Sequence, residues 1–96
     1  MTIKENERIH LVKKIRVTNA LGLHTRPATH IVKLLQNVKS EVFFTYRKET
    51  VTAKSILNIL MLAVPKNGQI TITIEGEDAN EVCEELLAAF ENQFGE

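Results

Sequence analysis

The chain is short of the residues that brace or punctuate other classes of protein. Its one cysteine, Cys83, excludes an internal disulfide and with it the cross-linked scaffold of a small secreted domain. Two prolines and four glycines among 96 residues leave no linker and no low-complexity run to divide the chain. The longest apolar stretch, residues 59–64, is far too short to cross a bilayer, and Met1-Thr2-Ile3-Lys4-Glu5 does not read as a signal peptide. A reducing, cytoplasmic setting without membrane insertion is the expectation. Twelve Lys and Arg balance twelve Asp and Glu, so no overall basic excess points to nucleic acid. A zinc constellation, a catalytic triad signature and a glycine-rich nucleotide loop are all missing. His24 and His30 are six apart, the wrong spacing for a metal pair on one helical face. Neither a metal nor a cofactor is expected, and His10 and His30 read as surface residues.

What is present is one domain's worth of patterned sequence, 44% apolar. A strand is predicted over 9–17 and a helix from Thr25 to about residue 36, with Ala28, Ile31, Val32 and Leu35 inward. Residues 41–46 and 49–53 read as a hairpin, although Arg47-Lys48 is a poor pair for its tip. Ser55 is a good N-cap for a second helix to about residue 63, stopped by Pro65. Ile70, Ile72 and Ile74 alternate with Thr71 and Thr73 in the clearest strand. Asp78 and Glu81 have capping-box spacing before a third helix, whose stripe runs Ala79, Val82, Cys83, Leu86, Leu87, Phe90, Phe94. The order is βαββαβα. Strands apolar on one side only need cover on that side, which predicts an α+β, two-layer open-faced sandwich: a four-stranded antiparallel sheet with three helices on one face. Residues 9–95 form this single domain, and residues 1–8 an N-terminal extension.

Gly22-Leu23-His24-Thr25-Arg26-Pro27-Ala28 carries the chemistry. It places an imidazole and a guanidinium where a strand gives way to a helix, starting at Thr25 or at Pro27. The N–H groups of Thr25, Arg26 and Ala28 are expected to lack carbonyl partners there, a setting suited to a phosphate. The helix dipole and Arg26 both favour neutral imidazole at His24, with a lone pair free to attack phosphorus. Arg26 would then make charge-assisted bonds to the phosphoryl oxygens. One acceptor atom in a cradle suits a carrier whose catalytic machinery belongs to its partners.

This segment, with Ser55 in Ala53-Lys54-Ser55-Ile56-Leu57 lying 31 positions after the histidine, resembles the HPr family of bacterial phosphocarriers. The resemblance implies that His24 accepts a phosphoryl group on Nδ1 from enzyme I and passes it to IIA domains, with Arg26 assisting. It implies Ser55 as a regulatory site for an HPr kinase/phosphorylase, an HPr-like fold, a monomer, and partner docking on the second helix. The matching docking residues are Ile56, Leu57 and Leu60, joined by Thr25, Thr29 and Lys33 on the first helix. Ile56, Ile59, Leu60 and Ala63 make one stripe of the second helix, and Leu57 and Met61 widen it beyond what a core contact needs. Phosphate on Ser55 would add roughly two negative charges beside this face and repel an acidic partner. Leu21, three before the histidine, stands where the family often has a small polar residue; it looks like the variant of the nitrogen-type and other regulatory branches. A second reading is therefore a non-transferring regulatory module, using the same docking face to bind a transcriptional regulator or a kinase. A third, an RNA-binding sheet prompted by Phe43-Phe44-Thr45-Tyr46, lacks the expected RNP1 pattern.

Charge is uneven along the chain. Residues 1–54 hold eleven Lys and Arg against four Glu, and residues 55–96 hold one Lys against eight acids. The basic half contains His24, which suits acidic partners and a phosphate.

Overall fold

Every second residue of Gln69–Gly76 is apolar or glycine, and in the computed structural model, which describes residues 8–96, that alternation sets the centre of the molecule. In chain order the strands are β1 (Ile9–Arg16), β2 (Glu41–Tyr46), β3 (Glu49–Thr52) and β4 (Gln69–Gly76). The helices are α1 (Thr25–Leu34), α2 (Ile56–Leu62) and α3 (Ala79–Glu91), followed by a 3-10 turn at Gln93–Gly95. The strands form one antiparallel sheet in the order β1-β4-β2-β3. The order βαββαβα and the sheet agree with the sequence expectation. Of the N-terminal extension, residues 1–7 lie outside the described residues.

Because side chains alternate across a strand, the sheet has two unlike faces. Val42, Phe44, Ile70, Ile72 and Ile74 are buried on the helix side. The other side carries Thr71 and Thr73 on β4, Thr45 and Thr50 on β2 and β3, and an exposed Val12 on β1. Thr45 and Thr50 bond each other there at 2.8 Å. Ile31 of α1, Ile59 and Leu62 of α2, and Val82, Leu86 and Phe90 of α3 close the core. Each such side chain contributes roughly 1.5–3 kcal/mol of burial. Cys83 is a buried free thiol, as its helical position predicts. The aromatic run that suggested RNA binding is split between faces: Phe44 is buried, while Phe43 pairs with Thr73 and Thr52 on the open side.

Local chemistry explains the turns and corrects several expectations. Arg47 and Lys48 both take left-handed backbone conformations (φ 51° and 71°), so the tight β2–β3 hairpin forms without glycine or asparagine at its tip. α1 ends at Leu34, and Leu35–Asn37 form a turn rather than a last helical turn. The buried side of α2 is Ile59 and Leu62; Ala63 is exposed and takes the left-handed C-cap conformation (φ 54°). The expected stripe through Ile56 and Ala63 is thus rotated toward Leu62. Phe94 is buried but lies beyond α3, in the 3-10 turn with φ 55°.

Ser55 caps α2 as expected, its Oγ accepting the Asn58 N–H at 3.2 Å. Ser55→Ala is expected to cost about 1 kcal/mol, read from the midpoint of urea unfolding; no change would mean that the cap contributes nothing. The other cap differs. Asp78 stands at the start of α3 but makes no side-chain bond to its own helix. Its carboxylate instead accepts the Lys39 N–H (2.8 Å), the Ser40 N–H (2.9 Å) and the Ser40 hydroxyl. The capping pair with Glu81 is not formed, because Asp78 is committed to the chain entering β2. The Ser40 hydroxyl first, then the Lys39 and Ser40 amides, hold its carboxyl below the usual aspartate value despite partial burial.

Candidate functional site

The segment between β1 and α1 is clamped before it reaches the histidine. Asn67 donates its N–H to Val17 O at 2.6 Å, and Val17 returns its own to Gly68 O at 2.8 Å. Arg16 Nη1 reaches Asn67 O at 2.8 Å. Leu23 is buried and gives its N–H to Val64 O at 3.0 Å. Between them Gly22 turns the chain with φ +69°, where an added Cβ would sit 2.1 Å from Val64 O. The loop thus reaches His24 pinned against the exit of α2.

His24 is the N-cap of α1, extended (φ −90°, ψ −164°), with its imidazole making no cap bond. Its carbonyl accepts the Ala28 N–H at 3.0 Å. That corrects the expectation that Ala28 offers a free donor: it is the fourth helical residue, and its N–H closes the first helical bond. Pro27 has no N–H, so Thr25 and Arg26 supply the open amides at this tip. Arg26 is exposed beside them.

A residue the sequence reading missed completes the arrangement. Glu96 Oε2 lies 3.0 Å from His24 Nε2, and Oε1 lies 3.3 Å from it. The two side chains are 27% and 20% exposed, so the contact is largely sheltered. Asn19, buried, donates from Nδ2 to Glu96 Oε1 at 2.6 Å and to Gln93 O at 3.0 Å. Gln93 Nε2 in turn reaches Thr18 Oγ1 at 2.9 Å. The hydrogen bond from Asn19 is the largest cause holding the Glu96 carboxyl below its usual value, opposed by burial and assisted by the bond from His24 and the charges of His24 and Arg26. An ionised carboxylate can only accept, so the proton on this edge belongs to Nε2. In a neutral ring the lone pair then lies on Nδ1, which has no partner among the described residues. No local signal marks Glu96: it meets His24 across 72 positions of sequence.

The other expected site residues fall into two groups. Thr25, Thr29 and Lys33 line one groove along α1 with Arg26, His30 and Phe94. His30, exposed as expected, meets the Phe94 ring edge-on at 5.5 Å, and Phe94 likewise abuts Phe90 at 4.8 Å. On α2, which packs against α1, Leu57 is 66% exposed, Met61 70% and Ile56 36%, while Leu60 is half-buried. Leu21 in the loop before His24 is also exposed. Ser55 is half-buried at the start of α2. Among the described residues, no group of three His, Cys, Asp or Glu side chains could hold a metal, and no helix is long and apolar enough to cross a membrane.

Fold and site together define a small open-faced α+β protein that presents one histidine, restrained at one ring nitrogen, at a helix start. Among known families, the one described as the PTS HPr component phosphorylation site matches residues 11–92. The phosphocarrier protein HPr of Chlamydia pneumoniae is 44% identical over 80 residues, covering 83% of this chain and 74% of its own. That of Xylella fastidiosa is 34% identical, covering 90% and 97%. Solved structures agree: HPr-C-His from Thermoanaerobacter tengcongensis superposes with a TM-score of 0.86 at 31% identity, covering 90% of this chain and 97% of that one. HPr from Bacillus anthracis gives 0.80 at 37% identity, covering 84% and 96%. The chain belongs to the HPr family of phosphocarrier proteins.

Proposed function

We propose that this chain relays a phosphoryl group on His24, received from a phosphoenolpyruvate-charged enzyme I and delivered to IIA domains. The observation that carries the reading is the imidazole at the N-cap of α1, hydrogen-bonded through Nε2 to Glu96, beside the open amides of Thr25 and Arg26. A transferred phosphoryl group would meet these donors, the positive end of the helix dipole and the Arg26 guanidinium. Partners dock across α1 and α2, with Leu57, Ile56 and Leu60 as the apolar contacts and Thr25, Thr29 and Lys33 as the polar ones. The chain is a substrate of its partners rather than a catalyst, and it works as a cytoplasmic monomer of one domain, residues 9–95.

Ser55 is a regulatory phosphorylation site in this reading. Its hydroxyl already serves the helix start, where the dipole tolerates phosphate, so modification adds charge at the docking face without melting α2. The kinase and any transcriptional regulator recruited by that charge are partners of the same face.

Incubation with enzyme I and phosphoenolpyruvate is expected to add one acid-labile phosphoryl group, absent in His24→Ala and passed on when a IIA domain is supplied. An unlabelled His24 would refute the relay. Labelling without onward transfer to any IIA domain would favour the non-transferring regulatory module.

A further inference from the structure

One carboxylate in the site has no part in cradling phosphate. Glu96 sits on the far edge of the His24 ring from the attacking lone pair, and an anion there repels phosphoryl oxygens. Its position is fixed with care: Asn19, buried beneath it, spends one amide group on both the carboxylate and the Gln93 carbonyl that begins the final turn. That turn departs from helical geometry at Gln93, Phe94 and Gly95, all with positive φ, and Phe94 anchors it in the core. Glu96 is thereby carried back across the molecule to Nε2.

We infer that Glu96, held by Asn19, is a positioning residue that directs phosphoryl attachment to Nδ1 of His24 by occupying Nε2. The inference rests on His24 being a phosphoryl acceptor. Two effects give the direction. The carboxylate accepts the Nε2 proton in a hydrogen bond, so the nucleophilic pair is confined to Nδ1. Its negative charge also keeps an incoming phosphoryl group off the Nε2 edge. The carboxylate serves both donors, with Oε1 taking the Asn19 amide and Oε2 lying nearer the ring. During transfer the donor's bond to phosphorus breaks with its electron pair leaving on the donor, and the Nδ1 pair forms the new N–P bond. Nε2 keeps its proton, so the ring becomes cationic against Glu96. On delivery the N–P pair returns to Nδ1, and a neutral ring leaves.

Phosphoramidate tests this without enzyme I, since it phosphorylates imidazole directly with loss of ammonia. The two phosphohistidine isomers are told apart by 31P NMR. The wild-type chain is expected to give the Nδ1 adduct. In Glu96→Ala the Nε2 share is expected to rise about tenfold, the loss of one charge-assisted bond, measured well below a thermal midpoint that falls slightly with the loss of the Asn19 bond. Glu96→Gln, with one acceptor oxygen for two donors, should fall between. Asn19→Ala, which does not touch the ring, should move the ratio the same way. An isomer ratio equal in wild type and Glu96→Ala would overturn the positioning role. No adduct on either nitrogen would instead overturn the acceptor reading beneath it.

Discussion

Gly22→Ala is expected to lower the unfolding free energy by about 3 kcal/mol or more. Left-handed backbone costs an alanine about 1–2 kcal/mol, and Gly22 has φ +69°. The new methyl would also sit 2.1 Å from Val64 O and 2.8 Å from Pro65 Cα, backbone atoms that no rotamer change can move aside. Such overpacking typically adds about 1–3 kcal/mol. Relief requires the loop to lift from the exit of α2, which breaks the bond from Leu23 N–H to Val64 O. His24 follows two residues later, so phosphoryl uptake from enzyme I should fall along with stability. Urea unfolding read against uptake rate checks both. A loss below about 1 kcal/mol with normal uptake would mean that the loop adjusts and the pinning is unimportant.

The second large effect is at Asp78. Asp78→Ala removes the acceptor for two amides and a hydroxyl and leaves Ser40, fully buried, without its partner. About 2–3 kcal/mol should be lost at neutral pH. The pH dependence follows from the sign of the shift. The Asp78 carboxyl titrates lower folded than unfolded, so its contribution is complete above the unfolded value near 3.8 and fades as pH falls through the lower folded value. The gap in stability between wild type and Asp78→Ala should therefore be widest at neutral pH and close in acid below about pH 4. A gap independent of pH would show that the contacts matter for packing rather than for charge. Gly76 belongs to the same knot: an added Cβ there would lie 2.3 Å from Ser40 Oγ, so the Ser40 corner packs against bare backbone.

Features written in local sequence were legible, and those written across the fold were not. The alternation of Ile70, Ile72 and Ile74 fixed β4 and its buried face, and Ser55 and Pro65 bounded α2. Gly22, Pro27 and the apolar spacing after them put the start of α1 at Thr25 or Pro27, and the structure begins it at Thr25 with His24, not the residue type that capping preference favours, as N-cap. Where local rules met a distant partner, the partner won. Asp78 had capping-box spacing to Glu81 yet spends its oxygens on Ser40, 38 positions away. Arg47 and Lys48 accept an unfavoured backbone because the β2 and β3 registers demand a two-residue turn. α2 is only seven residues long, and on so short a helix the apolar stripe was too broad to show that Leu62, not Ile56 or Ala63, faces inward.

Charge followed the same pattern. The basic first half contains His24 and suits acidic partners, but β1 pairs with β4 and brings acidic residues among the basic ones, as where His10 meets Glu75 at 2.8 Å. Glu96 is the sharpest case, an anion from the acidic half placed on the ring itself. The ring nitrogen that is occupied is therefore set by a contact that no window of sequence contains.

The sheet order has a consequence for synthesis. Only the β2–β3 hairpin can close from neighbouring residues; β1, which leads into the histidine, must wait for β4, and the ring waits for Glu96. A ribosome therefore extrudes the motif before its surroundings. On the proposed relay, growing chains should be poor substrates for enzyme I until β4 and the residues after α3 have emerged, and half-made protein would then draw nothing from the phosphoryl supply.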